Sequence, residues 1–185
     1  MSILYVPIGI SGSGKTTVGN KIREAFSGVV VVCPDDERKR LTGNVSDQSR
    51  NDEVFSNCYG LVGKYLRQGT DVFFSATNLS GKDRKTLLKI AKNAGSFITA
   101  IVLMDSLDPG LCLSRVRKDL ASGVDRSNTT VLNKETKETV VDRQFKKFKD
   151  NYQAIEEYDA LIEYRSTDSI SWKDELEPIV KLARK

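Results

Sequence analysis

Eight residues near the start of the chain limit its fold more than any other feature. They read Gly9-Ile10-Ser11-Gly12-Ser13-Gly14-Lys15-Thr16 and match the pattern G-x-x-x-x-G-K-[ST]. An apolar run from Ile3 to Ile8 reads as a strand before them, and a segment from about Lys15 to Phe26 reads as a helix after them. In that setting the glycines let successive backbone N–H groups curl around a phosphate, where side chains would block the approach. The helix beginning at Lys15 adds the positive end of its dipole to the same place. Lys15 is then expected to bridge the β- and γ-phosphates of ATP or GTP, and the Thr16 hydroxyl to ligate Mg²⁺. Gly9, Ser11, Gly12, Ser13, Gly14, Lys15, Thr16 and Thr17 are the expected nucleotide-binding residues.

Strand and helix signals alternate through the rest of the chain, which is the pattern of a parallel sheet with helices on both faces. The four valines Val29 to Val32 read as a buried second strand. Further strands are expected at Asp71 to Phe74, Phe97 to Met104 and Ala160 to Tyr164. Helices are expected near Glu37 to Leu41, then at about Gln48 to Arg67, Lys82 to Asn93 and Pro109 to Ala121. Two more should span about Lys134 to Glu157 and Ser171 to Ala183, while Gly123 to Thr130 is polar, aperiodic and loop-like. The expectation is an α/β chain of P-loop NTPase fold, a five-stranded parallel sheet between helices. A helical lid should lie at about residues 109–149. With 185 residues and no repeat or linker, residues 1–185 are expected to form one domain.

Composition excludes several chemistries. There is no histidine, which removes Ser-His-Asp and Cys-His catalysis, a histidine base and histidine metal sites. The three cysteines, Cys33, Cys58 and Cys112, have no C-x-x-C spacing and read as buried thiols. Acid–base work must therefore fall to carboxylates or lysines. No apolar run approaches a membrane span and the N-terminus lacks signal-peptide character, so a cytoplasmic protein without membrane contact is expected. Charge is uneven: residues 112–149 hold ten Lys/Arg against five Asp/Glu, a local excess of +5 within a net charge of +4. Such a segment suits a phosphorylated or polyanionic ligand.

The guanine-reading N-K-x-D signature is absent, and the chain is shorter than a motor or AAA+ ATPase needs. A nucleotide-kinase-like phosphotransferase fits. The second strand ends in Cys33-Pro34-Asp35-Asp36-Glu37-Arg38. A carboxylate at that strand end, beside the phosphate loop, lies where an acceptor hydroxyl would approach the γ-phosphate. Asp35 is the expected general base and Arg38 a holder of an acceptor phosphate. Asp36 and Glu37 read as charge at a helix N-terminus.

These residues, with Leu41 to Ser49, Glu53-Val54-Phe55 and Asp71 to Lys85, resemble the kinase domain of the phage-type polynucleotide kinases. The resemblance is strongest from Ile3 to about Met104 and recognisable to Phe148. It implies transfer of the γ-phosphate of ATP to a 5′-hydroxyl of DNA or RNA, with Asp35 as base and Arg38, Thr77 and Asn78 on the acceptor side. The family usually places an aspartate just before Thr-Asn, whereas this chain has Ser75-Ala76 there. Arg115 best matches the family's lid arginine. Arg126 is a candidate arginine finger, Arg117 and Lys118 are further lid candidates, and Phe145 and Phe148 read as core. Three other readings stay open: phosphorylation of a hydroxymethylated base such as 5-hydroxymethyluracil in DNA, a kinase of a nucleoside, nucleotide or adenylylsulfate, and a nucleotide-dependent binding switch. No D-x-D-x-[TV] motif points to a fused phosphatase.

Overall fold

The computed structural model describes residues 1–124, 138–151 and 158–185. Five strands, β1 (Ile3–Ile8), β2 (Val30–Val32), β3 (Val72–Phe74), β4 (Phe97–Leu103) and β5 (Ala160–Tyr164), form one sheet in the order β2-β3-β1-β4-β5. Every pairing is parallel. The central strands β1 and β4 are buried along their whole length, as continuous apolar runs in a covered parallel sheet must be.

Alternation along β1 sends Leu4, Val6 and Ile8 to one face and Ile3 and Tyr5 to the other. The described residues form seven α-helices around the sheet: α1 (Lys15–Ala25), α2 (Pro34–Thr42), α3 (Asn51–Arg67), α4 (Gly81–Asn93), α5 (Pro109–Ala121), α6 (Val140–Asn151) and α7 (Trp172–Ala183). The first face packs against Val54, Cys58 and Val62 of α3, Leu87 and Ala91 of α4, and Phe148 of α6. The second packs against Val18 and Ile22 of α1 and Trp172, Leu176 and Val180 of α7. Phe148 is fully buried and Phe145 packs against the same cluster, as core residues.

The valine strand differs from expectation. Val30 and Val31 are only partly buried, because β2 is an edge strand with a neighbour on one side alone. At the opposite edge β5 alternates, with Leu161 and Glu163 exposed and Ile162 and Tyr164 buried. Helix α2 begins earlier than the sequence suggests, with Pro34 in its first turn, where a missing N–H costs nothing. Helix α1 sits low on the sheet because Gly19 has no side chain: a Cβ there would lie 2.9 Å from the Phe73 ring. That close packing fixes the helix that leads out of the glycine loop. Since all strands are parallel, their carboxyl ends open on one edge of the sheet, where α/β proteins bind ligands.

Candidate active site

Segments following all five strands meet at that edge. Those after β1, β2 and β3, with α5 and α6, line a cleft of about 860 Å³. Around Gly9 to Thr16 the loop is braced from below: Gly9 N–H donates to the Thr77 carbonyl at 3.1 Å and Ile10 N–H to Ser106 Oγ at 3.1 Å. Gly12 has φ +83°, and a Cβ on it would lie 2.2 Å from the Cys112 carbonyl oxygen, so only glycine fits beneath α5. Lys15 Nζ donates to the carbonyls of Gly9 (3.1 Å) and Ile10 (2.7 Å), which holds the ammonium at the mouth of the loop. Ser11, Gly12, Gly14, Lys15, Thr16 and Thr17 line the cleft, whereas Ser13 is buried under Gly9.

The start of α1 is chemically unusual. Its N-cap is Gly14, with no capping side chain, and its first turn holds no acidic residue. Helices α4, α5, α6 and α7 are capped by Ser80, Asp108, Thr139 and Ser171, and α2 and α3 begin with carboxylates. Among the described helices α1 alone has neither, so its positive end has no capping side chain and no acid of its own.

Across the cleft, Asp35 sits in the first turn of α2 with its side chain 51% exposed and ion-paired to Arg38, whose side chain is 5% exposed. Arg38 also donates to Asn51 Oδ1 at 3.0 Å and reaches the Val45 carbonyl at 3.5 Å, joining α2 to the loop before α3. Both residues line the cleft with Ser46, Gln48, Asn51 and Phe55. Glu37 faces away: it accepts from Arg40 and Asn57, and these contacts draw its carboxyl down to about 2 against burial. Burial pushes the Cys33 thiol up, and lifts Cys112 to about 11, so neither is a thiolate at neutral pH.

Thr77 lines the cleft beside Ser75 and Ala76, but Asn78 does not. Its side chain is buried, donating to the carbonyls of Pro7 (2.7 Å) and Ala76 (3.2 Å), with the backbone at φ +50°. Asn78 thus corrects its expected place on the acceptor wall: it ties the end of β3 to the end of β1. Arg84, fully buried, donates to the carbonyls of Asn78 and Leu79 at 3.1 Å and supports the same turn.

From α5, Arg115 and Lys118 line the cleft, while Arg117 is on the exposed side of the helix. Arg126 lies outside the described residues. Arg115 Nη1 donates to Asp105 Oδ2 at 2.7 Å and to the Gly12 carbonyl at 3.3 Å, and Nη2 donates to Ser166 Oγ at 2.8 Å. From α6, Gln144 Oε1 accepts the Ser11 N–H at 2.8 Å. Sequence reasoning missed Asp105, Ser166, Ser106 and Gln144. The first two follow the ends of β4 and β5, so the strand-end argument used for Asp35 would have found them. Gln144 carried no signal.

The donor set suits a magnesium ion carried by a nucleotide. Among the described residues no group of three or more His, Cys, Asp or Glu is arranged to hold a metal alone. A threonine hydroxyl, Thr16, and a carboxylate, Asp35, do line the cleft, and Mg²⁺ characteristically takes few protein ligands and completes its shell with phosphate oxygens and water. No described helix is long and apolar enough to cross a membrane.

The fold is shared with solved structures at low sequence identity. A protein of Chloroflexus aurantiacus provisionally designated a kinase matches at TM-score 0.68 and 13% identity, over 98% of each chain. The Mycobacterium tuberculosis APS kinase CysC, in complex with AMPPNP and APS, matches at 0.59 and 15%, over 100% of this chain and 98% of that one. A fungal RNA kinase matches at 0.58 and 18%, over 98% of this chain and 82% of its own. The chain therefore shares its α/β fold with these proteins. No curated protein matches in sequence. Although the chain is short for an AAA+ motor, residues 4–155 match the AAA_33 family, described as an AAA domain. Because that match runs from β1 past the end of α6, the chain belongs to the AAA_33 family.

Proposed function

We propose that this chain is a phosphotransferase that moves the γ-phosphate of ATP to a hydroxyl of a nucleic acid, a polynucleotide 5′-hydroxyl first among them. The observation that carries the reading is the pairing of two helix starts across one cleft: the uncapped, acid-free start of α1 and the Asp35 carboxylate at the start of α2. The first suits a triphosphate; the second suits a hydroxyl whose proton must leave. Asp35 accepts that proton as the acceptor oxygen bonds to the γ-phosphorus and the bond to the β–γ bridging oxygen of ATP breaks, leaving ADP. Arg38 fixes the carboxylate from one side and leaves half of its surface open to the cleft. Lys15, Arg115 and, from the undescribed segment, Arg126 are assigned to the phosphate charge, and Thr16 to Mg²⁺, which would neutralise the β- and γ-oxygens. Helices α5 and α6 act as the lid, and one domain holds both substrates. The excess of +5 over residues 112–149 supports a polyanionic acceptor.

Ser75 and Ala76 favour a second acceptor. Both line the cleft where the polynucleotide kinases that the sequence resembles hold an aspartate, which leaves a small, uncharged wall at the end of β3. A hydroxymethyl group on a modified base in DNA would suit that wall and still reach Asp35.

Incubation with Mg²⁺ and γ-labelled ATP separates these readings. The acceptors are a 5′-hydroxyl DNA oligonucleotide, its RNA counterpart, end-blocked duplex with hydroxymethyluracil, and a nucleoside mixture. Label on 5′-ends supports the first reading, and label on the blocked duplex alone supports the second. Label confined to nucleosides contradicts both. ATP binding without any transfer would turn the assignment towards a nucleotide-dependent switch.

A further inference from the structure

We infer that Asp105 and Ser166 are positioning residues for Arg115, holding its guanidinium across the glycine loop so that its remaining donors face bound nucleotide. The inference rests on the nucleotide site proposed above and names the parts that keep it in shape. Three chain segments meet here: Asp105 in the turn after β4, Arg115 in the middle of α5, and Ser166 just after β5. Arg115 Nη1 uses both of its protons, one on Asp105 Oδ2 at 2.7 Å and one on the Gly12 carbonyl at 3.3 Å. Nη2 gives one proton to Ser166 Oγ at 2.8 Å. Ser166 N–H in turn donates to the second oxygen, Asp105 Oδ1, at 3.2 Å, which closes a ring of three residues. A guanidinium has five N–H groups. Three are committed here, so Nε–H and the second Nη2 proton are left for a ligand.

Exposure shows which member serves which. The Arg115 side chain is 32% exposed and lines the cleft, while that of Asp105 is only 7% exposed. An arginine so accessible to water needs no buried counterion for its own solvation. A buried carboxylate, in contrast, is costly unless its partners hold it well. The arrangement therefore fixes an orientation, and the orientation is set relative to Gly12, where a Cβ would lie 2.2 Å from the Cys112 carbonyl oxygen. Burial opposes the charge on Asp105, but the hydrogen bonds from Ser166 and Arg115 outweigh it and keep the carboxyl below its ordinary range. The anchor stays ionised at neutral pH.

The test is ATP binding by calorimetry on the full chain, with thermal midpoints measured on the same samples. Arg115→Ala should weaken ATP by about 10- to 100-fold, the scale of hydrogen bonds to a charged group. Asp105→Asn, which keeps size and loses charge, should weaken it by roughly 10-fold, and the double variant should be no weaker than Arg115→Ala, because both changes remove one interaction. Ser166→Ala, the mildest change, should cost about 3-fold and keeps the test decisive if Asp105→Asn does not fold. Unchanged ATP affinity in Asp105→Asn or Ser166→Ala, or losses that multiply in the double variant, would overturn the inference. A lowered thermal midpoint with wild-type affinity would overturn it too, as the mark of a purely structural pair. Wild-type protein that binds no ATP would overturn the nucleotide reading itself; wild type that binds while the variants bind equally well would overturn only the positioning role.

Discussion

Helices α1 and α2 both begin at carboxyl ends of parallel strands, and neither has a side chain capping its first turn. Their backbones offer the same positive end, yet their first turns differ completely. That of α1 carries Lys15, Thr16 and Thr17 and no acid; that of α2 carries Asp35, Asp36 and Glu37. The dipole of α2 is satisfied from within, which stabilises the helix and leaves a carboxylate at the cleft. The dipole of α1 has no such partner in its own first turn. Two helix starts at one edge of the sheet thus differ in charge through the residues placed on them, basic and acid-free on α1 and acidic on α2.

Substitutions that erase this contrast should have graded effects. On α1 the largest is expected from Lys15→Ala, which removes the ammonium held at the mouth of the loop by Gly9 and Ile10. Transfer should fall by about 10³-fold, the scale of losing a charged transition-state donor, as measured by single-turnover incorporation of labelled phosphate into the acceptor. A smaller effect is expected when α1 is made to resemble α2. Thr17→Asp places an acid in the first turn, so ATP affinity should drop by roughly 10-fold while the nucleotide-free protein gains about 0.3–1 kcal/mol. Calorimetry and denaturant melts read the two changes in opposite directions, and a protein that gained in both would break the comparison.

The smallest effect concerns the far side of α2. Glu37 falls from 4.5 to about 2, chiefly through Arg40, so its contribution to stability is complete above about pH 4.5 and is lost as pH falls towards 2. Glu37→Gln should lower the melting temperature slightly at pH 6. The difference should shrink through that acid window, and it is small throughout because the Arg40 side chain is 63% exposed.

Much of this architecture was readable because local patterns set it. The continuous apolar runs of β1 and β4 can only be covered strands, and the bounds of β1, α5 and β5 agree with their periodicity and with Pro109. Val32 is buried as the valine run implies, but the partial exposure of Val30 and Val31 is not legible, because such a run does not say whether a strand has one neighbour or two. In the site, the glycine loop and Asp35 were visible as motif and strand end. Arg38 was visible as a charge, but its engagement with Asp35 and Asn51 depends on how α2 meets α3. Asn78 belongs to the motif, yet its amide is used inside the protein, bonded to the carbonyl of Pro7 far back in the chain. The contacts of Arg115 with Ser166 and of Ser11 with Gln144 join residues 51 and 133 positions apart, beyond the reach of any spacing rule.

The central claim is that α1 holds the nucleotide while α2 supplies the base, and Asp35→Asn tests it most directly when ATP affinity and phosphate transfer are measured on one sample. The account predicts affinity within about 3-fold of wild type together with transfer reduced by roughly 10²–10⁴-fold, the range for a general base. Transfer at the wild-type rate, or a parallel collapse of ATP binding, would contradict it.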